Sequence, residues 1–168
     1  MAISMYSAAV PVFQRQLAAL GKILDKAAAH AAAKKVPDAV LLQTRLYPDM
    51  LPLVRQVQIA ADFAKSTPAR LTGGEVPKYD DNEASLADLK ARIDKTLAYV
   101  ATFKAAQFEG SEERDVTLPI AGNPLTLKGE VFLLHFAMPN FYFHTTTAYD
   151  ILRQCGVEIG KRDFIGGI

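Results

Sequence analysis

The sequence predicts an all-α domain of four helices, with a small β-hairpin or extended arm before the last helix. Apolar residues recur at three- and four-residue spacing in four long segments. The spacing changes to strict alternation between Val116 and Leu127, around the turn-forming tetrapeptide AGNP. A length of 168 residues suits one domain, 1–168, with a sizeable core.

The first two helical segments occupy the N-terminal part of the chain. The first helix is predicted from about Ser4 to Ala33, with an apolar stripe that only Gln16 interrupts. The second segment is predicted as a short helix, a break near Tyr47 and a longer helix that ends at Lys65, because its prolines suit first helical turns.

The second half of the chain supplies two more helices. A loop dense in Pro, Gly and Ser is predicted over 66–85, and its length is typical of functional covers. The peptide DDNE offers a cap for a third helix that reaches Phe103. The final helix is predicted from about Lys128 to Cys155, with a kink at Pro139 and an irregular tail after Gly156.

Charge and cysteine content exclude several classes of protein. The 19 Lys and Arg nearly balance the 18 Asp and Glu, and the basic residues are scattered, so nucleic acid is not expected as a partner. No window approaches the roughly 18 apolar residues of a membrane span, and the N-terminus does not resemble a signal peptide. A single cysteine, Cys155, excludes an internal disulfide. We therefore expect a soluble, cytoplasmic protein with no membrane partner.

Two motifs carry a resemblance to a known family. They are RLYPDMLPLVRQVQIAADFAK at 45–65 and LHFAMPNFYFHTTTAYDILRQCGVEIGKRDF at 134–164. In this order they resemble an uncharacterised bacterial domain-of-unknown-function family within the DinB/YfiT-like superfamily. The resemblance implies an up-down-down-up four-helix bundle that is often dimeric. It also implies a divalent metal held by three histidines in better-known members, some of which are thiol S-transferases or hydrolases.

The chain departs from this three-histidine pattern. The resemblance implies that, in the better-known members of the superfamily, one histidine comes from the second helix and two come from the fourth, four residues apart. Here His144 matches the later position, Asn140 stands four residues before it, and the second helix has no histidine. A mixed metal site would combine His144 and Asn140 with Asp49 or Gln56, which lie about 20° apart on a helical wheel. Zn²⁺, Ni²⁺ or Fe²⁺ would suit such a site.

A structural role is the alternative for the same residues. His144 would then be a core histidine bonded to Asp49 or to a backbone carbonyl, and Asn140 would satisfy carbonyls freed by Pro139. Asp49 would pair with Arg45 at helical spacing. His135 is not expected to join His144, because nine residues place it about 180° around an ideal helix.

Aromatic residues of the last helix wrap more than one of its faces. They are Phe132, Phe136, Phe141, Tyr142, Phe143 and Tyr149. Because each ring needs a large area buried, we expect some of them to meet a partner copy or a pocket under the long loop.

Two functions of different class follow from these observations. The first is a non-catalytic or small-molecule-binding homodimeric bundle with a degenerate metal site. The second is a metal-dependent hydrolase or thiol S-transferase that uses a mixed site between helices two and four. No catalytic residue is assigned, since the sequence has no Walker loop, no dinucleotide fingerprint and no G-x-S-x-G or H-E-x-x-H motif.

Overall fold

The computed structural model describes residues 3–120 and 122–167 and is mainly helical, with one two-stranded antiparallel sheet. The helices are α1 Met5–Lys34, α2 Asp38–Gln43, α3 Leu53–Thr72, α4 Leu86–Val100, α5 Gly129–Val131, α6 Met138–Gln154 and α7 Lys161–Ile165. A 3₁₀ turn spans Ala105–Phe108, and a π-helical segment, Phe132–Ala137, joins α5 to α6. The strands are β1 Asp115–Ile120 and β2 Asn123–Lys128.

The longest helices pack around a common apolar core. α1 lies against α4, and α3 lies against both α4 and α6. Phe13 of α1 and Phe141 of α6 meet edge to face in this core, with ring centroids 4.8 Å apart. Among the helices of residues 3–120 and 122–167, none combines the length and the apolarity that a membrane span requires. The prediction of a helical fold is therefore confirmed, and α1 ends within one residue of its predicted limit.

The prediction for α3 is wrong at both ends. The helix begins at Leu53, because Pro52 caps it and the Leu53 amide donates to the Thr44 carbonyl at 2.9 Å. It continues beyond Lys65 to Thr72, through a segment predicted as loop. Thr67, Pro68, Ala69 and Leu71 are all buried, and this burial outweighs the local cost of a proline inside a helix.

The loop before α4 is consequently shorter than predicted, and its cap differs. Ser85 is the N-cap, and its hydroxyl accepts a hydrogen bond from the Asp88 amide at 3.0 Å. The predicted cap DDNE instead lies in the preceding loop, where Asp81 and Glu83 bind a side chain of α4. The connection 73–85 is therefore ordered and lies across α3 and α4, and we call it the strap.

The predicted hairpin is present between α4 and the last helices. β1 and β2 pair in register from Asp115↔Lys128 to Ile120↔Asn123. Val116 and Leu118 are buried, whereas the outer face of the ribbon is exposed. The hairpin thus covers one side of the core.

The last helix is interrupted, and the C-terminal tail is partly helical. Because Pro139 has no backbone N–H, it cannot bond to the carbonyl four residues earlier, and a π-helical segment precedes it. Residues after Gly156 were predicted to be irregular, but α7 forms and packs on α1. Gln16 donates to the Phe164 carbonyl at 3.1 Å, which explains a polar residue in the apolar stripe of α1.

Candidate functional site

His144 and Gln56 meet in the groove between α6 and α3. The Nδ1 atom of His144 lies 2.7 Å from Oε1 of Gln56. Gln56 is 1% exposed and His144 is 8% exposed, so the hydrogen bond forms in the protein interior. The partner of His144 is therefore Gln56, and the predicted bond to Asp49 or to a backbone carbonyl is wrong.

The hydrogen bonds of this pair assign the tautomer of the histidine. Gln56 Nε2 donates to the Leu51 carbonyl at 2.9 Å, which leaves Oε1 facing the imidazole. An amide oxygen only accepts, so Nδ1 of His144 carries the proton and Nε2 keeps its lone pair. Burial lowers the pKa of His144, and the ring is therefore neutral at pH 7.

Asn140 lies one turn before His144 and is half-buried. Its Nδ2 donates to the carbonyl of Phe136 at 2.7 Å. Asn140 was predicted to satisfy carbonyls freed by Pro139, and this is wrong: the carbonyl it binds belongs to Phe136, four residues before it, whereas the carbonyl that Pro139 frees belongs to His135. This bond fixes the amide at the junction between the π-helical segment and α6.

Asp49 and His135 lie away from this groove. Asp49 is exposed in the connection between α2 and α3, because α3 begins four residues after it. Arg45 donates to the carbonyls of Pro48 and Met50, so the predicted pair between Arg45 and Asp49 is wrong. His135 is exposed while His144 is buried, as their opposite phases predict.

An aromatic cavity of about 230 Å³ lies beside the histidine. Phe63 connects the two, since its ring stacks on His144 at 6.3 Å and tilts against Phe136 at 5.9 Å. The cavity is bounded by α3, by the end of β1 and by the π-helical segment. Its lining residues are Asp62, Phe63, Ser66, Arg70, Leu118, Pro119, Ile120, Phe132 and Phe136.

The polar part of this lining is one row of α3. Asp62, Ser66 and Arg70 stand four residues apart and therefore share a helix face. Ser66 and Arg70 were not predicted as site residues, because the predicted helix ended at Lys65, and without them Asp62 had no row to belong to. Their four-residue spacing could have indicated a common helix face. This holds only because α3 extends to Thr72.

Arg92 anchors the strap beside the same row. Its guanidinium binds Asp62 at 2.9 Å, Asp81 at 3.0 Å and Glu83 at 2.8 Å, and its side chain is 2% exposed. Tyr79 adds a ring face to this cation at 5.5 Å. Burial raises the pKa of Glu83, but hydrogen bonds from Arg92 and Gln58 outweigh it, and the net pKa is lowered.

Comparisons with known proteins place the chain in a family. A family model described as a domain of unknown function, DUF1993, matches residues 5–165. The chain belongs to this family. The DUF1993 chain is also similar to the crystal structure of a DinB family member protein from Shewanella denitrificans, with 44% identity and a TM-score of 0.92 over 98% of this chain and 93% of that chain. A comparison with curated proteins finds no match. The resemblance seen in the sequence is confirmed.

The donor set of this DUF1993 domain differs from the three-histidine pattern. Over 3–120 and 122–167, no three His, Cys, Asp or Glu side chains stand close enough together to hold an ion. The lone pair of His144 Nε2 would make it a strong metal ligand. Asn140 and Gln56 contribute only neutral amides, and these already form hydrogen bonds. The residues of the groove therefore do not fit a three-histidine metal centre.

Proposed function

We propose that the protein is a non-catalytic, ligand-binding bundle that holds a small molecule with an apolar body. The cavity between Phe63, Phe132 and Phe136 is the observation that carries this proposal. Its volume of about 230 Å³ lies below the range of about 300–1,000 Å³ that is usual for drug-sized ligands, so the ligand is small. In this proposal the pair of Gln56 and His144 holds α3 against α6 and so supports the wall formed by Phe63.

We also propose for this protein the architecture and the location that are expected of the superfamily. The long helices would form an up-down-down-up bundle in a bacterial cytoplasmic protein. The similarity to the DinB family structure supports the architecture. The free thiol of Cys155 suits a reducing compartment.

A tryptophan placed at the mouth of the cavity tests this function. The chain has no tryptophan, so Ile120→Trp adds a single reporter at a position that lines the cavity and is 40% exposed. We expect 1-octanol to change its fluorescence saturably. Tyr47→Trp is the matched control, because Tyr47 is exposed and does not line the cavity. Equal responses of both reporters, or none, would contradict the proposal.

We also propose that the protein is a homodimer. Large apolar side chains are exposed along the last helix at Val131, Leu134, Tyr142 and Phe143. Exposed large apolar side chains that are concentrated on one part of a protein are typical of interaction surfaces. A second copy of the chain would bury it.

The alternative is a metal-dependent hydrolase or thiol S-transferase with a mixed site between α3 and α6. The unprotonated Nε2 of His144 favours it, since a histidine that donates Nδ1–H to a neighbour is oriented as metal ligands are. Elemental analysis of untagged protein after incubation with Zn²⁺, Ni²⁺ or Fe²⁺ tests this alternative. Near-stoichiometric metal that is lost in His144→Ala and kept in His135→Ala would support it. Absence of bound metal under all conditions would contradict it.

A further inference from the structure

We infer that the ligand of the aromatic cavity is a small amphipathic carboxylate, and that Arg70 and Ser66 bind its carboxylate group. This inference rests on the proposed ligand-binding function and names the chemical class of the ligand. The charges at the cavity edge carry it: the Arg70 guanidinium has no acidic partner among the described residues, while the neighbouring Asp62 carboxylate is paired with two cations.

Arg70 is the cation with unused hydrogen-bonding capacity. It is half-buried, and its NH1 donates to the carbonyl of Thr117 at 3.3 Å. None of the salt bridges between described residues includes Arg70. A guanidinium has five N–H donors in a planar fork that matches a carboxylate. The bond to Thr117 holds the group at the cavity edge and leaves donors free.

Ser66 and Asp62 complete the edge of the cavity. Ser66 lies one turn before Arg70 and lines the same cavity, so its hydroxyl can donate to the same ligand. Asp62 would repel an anion if it were free. It instead binds Lys65 and Arg92, which offset its charge.

The charge and the apolar walls together select the ligand class. A neutral ligand would leave the half-buried Arg70 without an anionic partner, and a cationic ligand would face it directly. A dianion would need a second free cation, and Arg70 is the basic residue among those described that line the cavity. Phe132 and Phe136 offer an apolar floor to the tail. A monocarboxylate with a short apolar tail satisfies each of these features.

Isothermal calorimetry with three probes of equal chain length tests the inference. The probes are octanoate, 1-octanol and octylamine, added to the wild-type chain at neutral pH. We expect octanoate to bind about tenfold more tightly than 1-octanol, because a charge-assisted hydrogen bond adds to the same apolar contact. Octylamine should bind most weakly of the three.

Variants of Arg70 identify the residue responsible. Arg70→Met should reduce octanoate affinity about tenfold, to the level of 1-octanol, and change 1-octanol affinity much less, because the alcohol offers Arg70 only a neutral acceptor. Arg70→Lys should restore part of the preference, since it keeps the charge and loses the planar fork. Arg153→Met is the matched control, because Arg153 is exposed on α6 and does not line the cavity. If Arg70→Met does not fold, Ser66→Val and Arg70→Lys supply the comparison, and both should weaken octanoate binding more than 1-octanol binding.

The outcomes separate this inference from the proposed function. Equal affinity of octanoate and 1-octanol would overturn the carboxylate assignment and leave an apolar ligand site. Binding of none of the probes would overturn both. A preference for octanoate that survives unchanged in Arg70→Met and Arg70→Lys would overturn the role of Arg70.

Discussion

Gln56 Oε1 on α3 accepts a hydrogen bond from His144 Nδ1 on α6 at 2.7 Å, and this buried pair joins the two helices that form the candidate site. The Leu51 carbonyl accepts from the other end of the same amide at 2.9 Å. The Leu51 carbonyl, the Gln56 amide and the His144 imidazole thereby form one chain of hydrogen bonds. This chain runs from the connection before α3 to the wall of the aromatic cavity. The imidazole is neutral, with its unprotonated nitrogen turned away from Gln56.

The first prediction concerns the stability that this pair contributes. Gln56→Leu should lower the free energy of unfolding by about 1–3 kcal/mol, because it leaves the buried Nδ1–H of His144 without a partner. Urea denaturation at pH 8 measures the loss. Gln154→Leu is the control, since Gln154 is exposed on α6 and should change stability by less than about 0.5 kcal/mol. Equal stability of the Gln56 and Gln154 variants would show that the pair has no structural role.

The second prediction is a pH dependence that follows from the lowered pKa of His144. Burial lowers this pKa in the folded state below its ordinary value of about 6.5. The unfolded chain therefore binds the proton first on acidification, so stability is full above about pH 6.5 and falls as the pH drops toward the folded pKa.

Urea denaturation between pH 8 and 5.5 checks this dependence. His144→Gln should remove the loss of stability on acidification, while His135→Gln, at an exposed position away from the groove, should leave it in place. Gln56→Glu should raise the pKa of His144, since a carboxylate next to the ring favours its charged form. NMR titration of the ring protons measures that shift. An unchanged profile in His144→Gln would contradict the assignment of the pH effect.

The sequence could predict the elements whose signals are local. Ser4 begins α1 because its hydroxyl accepts from the Ser7 amide, and the alternation around AGNP gives the hairpin. The C-terminal third of α3 could not be predicted in the same way. The residues Ser66, Thr67 and Pro68 disfavour a helix locally, and burial against the rest of the protein decides the outcome.

The candidate site could be predicted only in part, because its residues depend on where α3 begins and ends. The spacing of Asn140 and His144 put both residues on one helix face, and the family resemblance placed His144 beside α3, where it meets Gln56. The choice between Asp49 and Gln56 depended on where α3 begins, and a start at Leu53 leaves Asp49 outside the helix. The edge of the cavity depended on where α3 ends.

The third prediction concerns the homodimer. Leu134→Glu should shift the protein from dimer to monomer, because a charge in an apolar interface is costly to bury. Sedimentation velocity measures the change. Val40→Glu is the control, since Val40 is also exposed but lies on α2. A wild-type monomer, or a dimer that persists in Leu134→Glu, would contradict the proposed surface.

The fourth prediction concerns the strap that Arg92 holds. Arg92→Met should lower the free energy of unfolding by about 3 kcal/mol, because it leaves Glu83 buried without its cation. Removal of one partner from a buried ion pair usually costs about 3–5 kcal/mol. The lower end of this range applies here, because Asp62 and Asp81 are 41% and 39% exposed and water screens their charges. Lys90→Met is the control, because the pair of Lys90 and Asp94 on the same helix is more exposed.

The free energy of unfolding at acidic pH distinguishes this electrostatic role of Arg92 from a role in packing alone. Burial raises the pKa of Asp81 and of Glu83, but hydrogen bonds from Arg55, Gln58 and Arg92 outweigh it, so the pKa of each is lowered. Their stabilisation is therefore full above about pH 4.5 and is lost as the pH falls through their folded pKa. The difference between wild type and Arg92→Met should then shrink between pH 7 and pH 3.5. Because a lost packing contact does not titrate, a difference that stays constant over this range would assign Arg92 to packing alone.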